Sequence, residues 1–220
     1  MVNIIMLYKT NFFTDIKKHS FNGLSDKTIL NEPTGNFFYD PWNIKKEFKN
    51  TIWEEMLSTL PTPIGEARII KMEPGTTYMA HSDIDDRWHL NLEGNDSYLI
   101  DLDNLDMYAL ERDGYWYTMD AGKKHVASNF GPVDRIQIVV RKLLIETEDK
   151  NLVNVIINPT AKKFDYRFQF DKHVSPWLNR TNKKGLMKDF AHDGSNVSFK
   201  VVKEALEDLN LTDDFEIITS

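Results

Sequence analysis

Cysteine is absent from the 220 residues. That excludes disulfides and thiol chemistry, and it leaves His, Asp and Glu as the side chains that could hold a metal. Long apolar runs are missing too. The N-terminal MVNIIMLYKTNFF has an apolar stretch too short to span a bilayer. It has no basic segment ahead of that stretch and no small-residue cleavage site behind it. The expectation is a soluble, cytoplasmic protein with no membrane partner, in which sequons such as Asn179-Arg180-Thr181 carry no meaning. Positive charge is scarce: 27 Lys and Arg stand against 34 Asp and Glu, a net charge of −7. This argues against nucleic acid as the main partner, because phosphate binding needs clustered cations. Repeats and low-complexity tracts are also lacking. The remaining composition is that of a globular protein able to bury a core, and the length suits one domain with an appended element.

The secondary-structure signals change along the chain. Residues 2–8 (VNIIMLY) read as a strand, and residues 9–40 as loop-rich, broken by Gly23, Pro33 and Gly35. Ile44, Phe48, Ile52, Trp53, Met56 and Leu57 recur at helical spacing, which predicts a helix from about Pro41 to Leu60, stopped by Pro61. From Ala67 the pattern is that of strands: ARIIKM, TTYMAHSD, RWHLNL, SYLIDL, DMYAL, YWYTMD and DRIQIVV. Asp113-Gly114 reads as a hairpin turn between MYALER and YWYTMD. Many short strands separated by turns indicate an all-β barrel or jelly roll. Beyond Arg141, residues 151–157 (NLVNVII) read as a further strand and residues 158–195 as irregular. A helix near Ser198 would bury Phe199, Val202, Ala205 and Leu206. The chain thus divides into residues 1–150, a β domain with an N-terminal helix, and residues 151–220, an extension packed on it.

Four side chains in the strand region form a chemical set. On a strand, His81 and Asp83 share a face because side chains alternate. Alone, that pair is as readily a surface feature. His125 follows 42 residues after Asp83, a separation that a jelly roll can close, although a histidine in the loop after Gly122 is the plainer reading. Two histidines and a carboxylate are the facial triad that holds non-heme Fe(II) and leaves positions open. Arg135 opens an apolar strand on the same face as Gln137. A buried charge there needs a partner, and a guanidinium binds a carboxylate with two parallel hydrogen bonds. Arg87, His89 and Asn91 line one face of RWHLNL, and Trp88, Leu90 and Leu92 the other. That polar face is either solvated or the wall of a barrel holding an anion. His19, His173 and His192 have weaker claims on a metal.

These residues lie in segments that resemble the aspartyl/asparaginyl β-hydroxylase family of Fe(II)/2-oxoglutarate oxygenases, which includes the L-proline cis-4-hydroxylase type. The resemblance covers about Gly65 to Arg141 and is carried by GEARIIKMEPGTTYMAHSD, RWHL, YWYTMDAGKKH and NFGPVDRIQIVV. It implies a double-stranded β-helix, a cupin-like jelly roll, with flanking α-helices. It implies that His81, Asp83 and His125 bind Fe(II), and that Arg135 binds the distal carboxylate of 2-oxoglutarate. Arg87 and His89 would contribute to the co-substrate pocket, and Asp120 would order the turn before His125. The implied activity is hydroxylation of an amino acid or a peptide side chain of the Asp, Asn or Pro type by O2, with release of succinate and CO2. This chain keeps the carboxylate ligand that some animal members lack. Its loop from Asp83 to Arg87 is short, so a substrate is not inherited.

Two other classes fit the same barrel: a non-catalytic cupin-like module that binds a metal or small ligand, and a metal-dependent isomerase or hydrolase. The second would have no use for a carboxylate clamp at Arg135. Substrate recognition is expected from the extension, where Phe164, Tyr166, Phe168, Phe170 and Trp177 interleave with Arg167, Lys172 and His173. Those aromatics could equally serve as packing.

Overall fold

A computed structural model describes residues 6–21, 25–148, 151–160, 170–193, 196–211 and 215–220. Contacts divide the chain into two compact units, residues 1–80 with 85–143, and residues 144–220 with the short stretch 81–84. No helix among the described residues is long and apolar enough to cross a membrane.

The first unit opens with β1 (Leu7–Phe13), β2 (Lys27–Ile29), β3 (Asn31–Pro33), β4 (Trp42–Ile44) and helix α1 (Ile52–Ser58). Eight strands follow: β5 (Ala67–Met72), β6 (Thr76–Thr77), β7 (Arg87–Glu93), β8 (Ser97–Asp101), β9 (Asp106–Ala109), β10 (Tyr115–Met119), β11 (His125–Asn129) and β12 (Arg135–Arg141). They fall into two antiparallel sheets, alternating except that β8 and β9 share one. One has the order β1-β10-β7-β12-β5-β2, the other β6-β11-β8-β9. Odd-paired neighbours β5-β12 and β7-β10 in one sheet, with β6-β11 and β8-β9 in the other, are the winding of a double-stranded β-helix, a cupin-like jelly roll.

Side-chain alternation gives the six-stranded sheet two buried faces. Trp88, Leu90, Leu92, Ile136, Ile138 and Val140 join Met56, Leu57 and Leu60 in the core on one side. On the other, Leu7, Met72, Tyr117 and Met119 meet Leu99 and Ala127 of the four-stranded sheet. RWHLNL is therefore buried throughout, including Arg87, His89 and Asn91. The face that solvent could have claimed lies inside the barrel.

Several expectations need correction. The helix expected from Pro41 to Leu60 is reduced to seven residues, Ile52–Ser58, with strand β4 and a 3-10 turn (Lys46–Phe48) ahead of it. Asn50 takes a left-handed φ of 58°. Thr51 then caps the true helix through its side chain, which accepts from Trp53 N. Ile44 and Phe48 still pack on the core, so apolar spacing that read as helical serves an irregular segment. TTYMAHSD is a two-residue strand followed by irregular chain, with His81 in an isolated bridge. Asp113-Gly114 does not join hairpin partners: β9 pairs with β8, and β10 with β1 and β7. The turn is a corner between sheets, and Gly114 (φ 82°) has the carbonyl of Thr14 where a Cβ would stand.

The second unit carries a four-stranded sheet of order β14-β15-β13-β16, built from β13 (Leu152–Pro159), β14 (Met187–His192), β15 (Val197–Val202) and β16 (Phe215–Thr219). The strand expected at 151–157 is β13. The helix expected near Ser198 is instead strand β15, with Val197, Phe199 and Val201 buried in alternation and a 3-10 segment after it. Pairing on both edges with β13 and β14 decides for the strand. Within the stretch expected to be irregular lie helix α2 (Ser175–Lys183) and β14. Trp177 of α2 stacks on Phe199 at 5.6 Å and donates to the carbonyl of Ala205, so it belongs to this unit's own core. Phe164, Tyr166, Arg167 and Phe168 lie outside the described residues.

Trp116 is fully buried between β10's neighbours and α1, and its indole N–H donates to Thr59 Oγ1 at 2.9 Å. Trp116→Ala should cost about 3–5 kcal/mol in urea unfolding, through lost burial and a residual cavity. A loss under ~1 kcal/mol would show that this face is not a closed core.

Candidate metal centre

The pairing of β6 with β11 sets the site. Ser128 stands opposite Thr77, and Tyr78 N donates to Ala127 O. Continued along the strands, that register puts His125 level with residue 80. Donor atoms of His81, Asp83 and His125 lie within 4.8 Å of one another. His81 Nε2 is 3.8 Å from Asp83 Oδ2. The two meet through an irregular turn, not through the alternation of a strand. Two imidazoles and a carboxylate suit a borderline divalent metal such as Fe(II). His125 is buried, and its Nδ1 lies 2.7 Å from the carbonyl of Lys123. A carbonyl only accepts, so Nδ1 carries the proton and Nε2 of the neutral ring keeps its lone pair for a metal.

Beyond the triad, the barrel interior is polar at one level. Arg135 is 3% exposed. Its Nη1 reaches across to the other sheet, donating to Ser128 O at 3.2 Å and Tyr98 O at 3.4 Å. Its Nη2 donates to Gln137 Oε1 at 2.5 Å. No carboxylate among the described residues pairs with it. Burial pulls its pKa down to about 10, with Tyr78 working the other way. Gln137 turns its Oε1 to the guanidinium, which leaves its buried Nε2 with no acceptor. Neither ring nitrogen of buried His89 makes a well-formed hydrogen bond. Burial, then the charge of Arg135, push the His89 pKa down to about 3; Gln137 beside it opposes the shift. His89 is therefore a neutral ring at physiological pH.

Arg87 behaves differently. Its Nη2 lies 2.8 Å from Asp85 Oδ1. Arg141 grips the same carboxylate with Nε at 2.5 Å and Nη2 at 3.1 Å. The charge of Arg87 is thus answered within the protein, and that of Arg135 is not. Asp120, expected to order the turn before His125, accepts from Lys123 N through its carbonyl at 3.4 Å. His19, His173 and His192 take no part in the cluster. Sequence reasoning did not single out Asp101 and Lys123. The run DLDN, with an Asp starting an Asx-type turn, was the available signal.

No family model matches this chain, and no curated protein matches it. Among solved structures it is similar to a cupin domain from Bordetella pertussis Tohama I, at 15% identity and a TM-score of 0.32, over 37% of this chain and 84% of that one. It is also similar to CapF with the inhibitor 3-isopropenyl-tropolone, at 14% identity and a TM-score of 0.33, over 54% of this chain and 31% of that one. The chain thus spans less than a third of CapF. The strand order itself defines the class: a cupin-like jelly roll with a His-Asp-His group that can hold a metal.

The depressed pKa of His89 has a consequence for stability. Between its ordinary 6.5 and about 3, the unfolded chain binds a proton that the folded chain refuses. Stability of the metal-free protein should therefore fall as pH drops through that window. His89→Gln should flatten the slope by up to about 1.4 kcal/mol per pH unit. Equal slopes in the two proteins, measured by urea unfolding, would place a charged His89 in the folded state.

Proposed function

We propose that the protein is an Fe(II)- and 2-oxoglutarate-dependent dioxygenase that hydroxylates an amino acid or a peptide side chain of the Asp, Asn or Pro type, releasing succinate and CO2. One observation carries the reading: Arg135 is a buried guanidinium with no carboxylate partner among the described residues, standing in the barrel whose rim carries the His-Asp-His group. A buried cation without an anion is costly, and a bound carboxylate would answer it.

Bound Fe(II) would supply O2 activation, held by His81, Asp83 and His125. The remaining work falls to the chain's own residues. Arg135 clamps the distal carboxylate of the co-substrate, and Gln137 holds the guanidinium in place while offering its Nε2 as a further donor. Neutral His89 completes the polar end without adding charge. Ser128, whose carbonyl takes Arg135, lies three residues along β11 from His125, about 10 Å at the rise of a strand. Ala127, Leu99 and Met72 belong to the apolar cluster on this side of the sheet. The site therefore suits a ligand that chelates at one end, is aliphatic in the middle and is anionic at the other. Arg87 acts at one remove: with Arg141 it holds Asp85, two residues after Asp83.

The test is succinate formation by the purified protein with Fe(II), 2-oxoglutarate, ascorbate and each common amino acid in turn. The expected result is slow decarboxylation alone and faster turnover with one substrate. Arg135→Lys keeps the charge but loses the planar fork. It should raise the KM for 2-oxoglutarate about tenfold, and Arg135→Ala more, with Fe(II) binding intact. His125→Ala should abolish turnover. Binding of 2-oxoglutarate without turnover under any condition would instead make the protein a ligand-binding cupin-like module. Absence of 2-oxoglutarate binding would remove the reading altogether.

A further inference from the structure

Asp101 ends β8 directly opposite His125, the first residue of β11, and is the most completely buried carboxylate of the barrel at 0% exposure. Its two oxygens are fully used. Oδ1 accepts from Asp103 N at 2.9 Å and Asn104 N at 3.2 Å. Oδ2 accepts from Asn104 Nδ2 at 3.0 Å and Lys123 Nζ at 3.0 Å. The loop before His125 is tied to the same turn again: Leu102 N donates to Lys124 O at 2.8 Å, and Lys124 N to Asp103 Oδ2 at 3.2 Å. Lys123 is where the ties converge. Its ammonium is held by Asp101 and its carbonyl takes Nδ1 of His125 at 2.7 Å.

We propose that Asp101 is a positioning residue for His125: acting through Lys123, it fixes the ring's Nδ1–H tautomer and aims Nε2 at the metal. The inference rests on the metal reading given above. A buried ion pair contributes little net stability compared with apolar residues of the same size, so stability alone is a poor reason for burying Asp101 under Lys123. A ring that must present one nitrogen in one direction is a better one. The ring rotates about two bonds, and the Lys123 carbonyl distinguishes its two nitrogens. That carbonyl is held in place by the ammonium of its own residue. The chain runs carboxylate, ammonium, backbone, imidazole.

Two measurements separate positioning from a merely structural role. The first needs no metal: long-range 1H–15N correlation of the His125 ring in the metal-free protein at about pH 8. The parent should show a single Nδ1–H tautomer. Lys123→Met and Asp101→Asn should show both tautomers in exchange. The second is Co(II) affinity, which should weaken about 10–100-fold in both variants, as for other partners that orient a ligating histidine. Lys123→Arg, which keeps the ion pair, should restore both. Asp101→Asn keeps the shape of the turn and decides the matter where Lys123→Met does not fold. A folded variant with the parent's tautomer and a Co(II) Kd within twofold overturns the proposal. A parent that binds no Co(II) sinks the metal reading instead. In that case the tautomer spectra still decide whether Asp101 positions the ring.

Discussion

A guanidinium inside a barrel is the constraint on which the rest of this interior depends. Arg135 has left water and, among the described residues, donates to carbonyls, a glutamine oxygen and a methionine sulfur. Those dipoles satisfy its N–H groups in part and do nothing to neutralise its charge. The buried polar side chains His89, Gln137 and Asn91 in this interior carry no charge. His89 is held neutral by burial and by Arg135 itself. Gln137 and Asn91 supply amides, where an acidic residue would have closed an ion pair within the chain. A carboxylate at position 137 would have neutralised Arg135 from within the chain. The glutamine holds the cation steady and leaves its charge available.

The contrast with Asp85 makes the point sharper. That carboxylate is buried to a similar degree, yet two arginines grip it, and Arg141 also reaches Glu66, which pairs with Arg68. This network is closed: its charges alternate and each has an answer. Its effect is mechanical. It pins the chain on both sides of the β7 start, just after the segment that carries Asp83. One buried ionic cluster thus fixes geometry, and one guanidinium has no carboxylate against it among the described residues. The difference between them lies wholly in whether the anion comes from the protein.

Much of the barrel was legible in the sequence because its strands are short, alternating and separated by turn residues. Period two alone put Arg135 with Gln137, and His89 with Asn91, on shared faces, while the burial of those faces is known only from the fold. Other features were not legible, for identifiable reasons. The spacing of Ile44, Phe48 and Ile52 fits a helix, and only the left-handed Asn50 and the cap at Thr51 break it. VSFKVV carries a period-two pattern, but the apolar residues following it also fit a helical stripe, and the partners that settle the matter lie 40 to 50 residues upstream or on the neighbouring β14. His81 and Asp83 were paired by an argument from strand alternation that the irregular backbone there does not support, although the two do come together. Asp101 and Lys123 are 22 positions apart and become partners only through the β8–β11 register.

That last case shows what kind of information a sequence conceals. A metal ligand is recognised by its residue type, and types are printed in the chain. The group that orients a ligand is recognised by position alone. Asp101 has no chemistry that an aspartate in any turn lacks; what distinguishes it is that antiparallel pairing sets it across from His125. Burial makes this arrangement exact in its consequences, since a carboxylate with four donors and no solvent cannot relax if one donor moves. The two ends of β11 therefore differ in kind. At its start, the backbone carbonyl of Lys123 takes Nδ1 of one imidazole. Toward its end, the backbone of the strand itself holds Arg135. A ligand lying along β11 would meet a fixed direction at one end and a fixed charge at the other, and the apolar stretch between them would select its length.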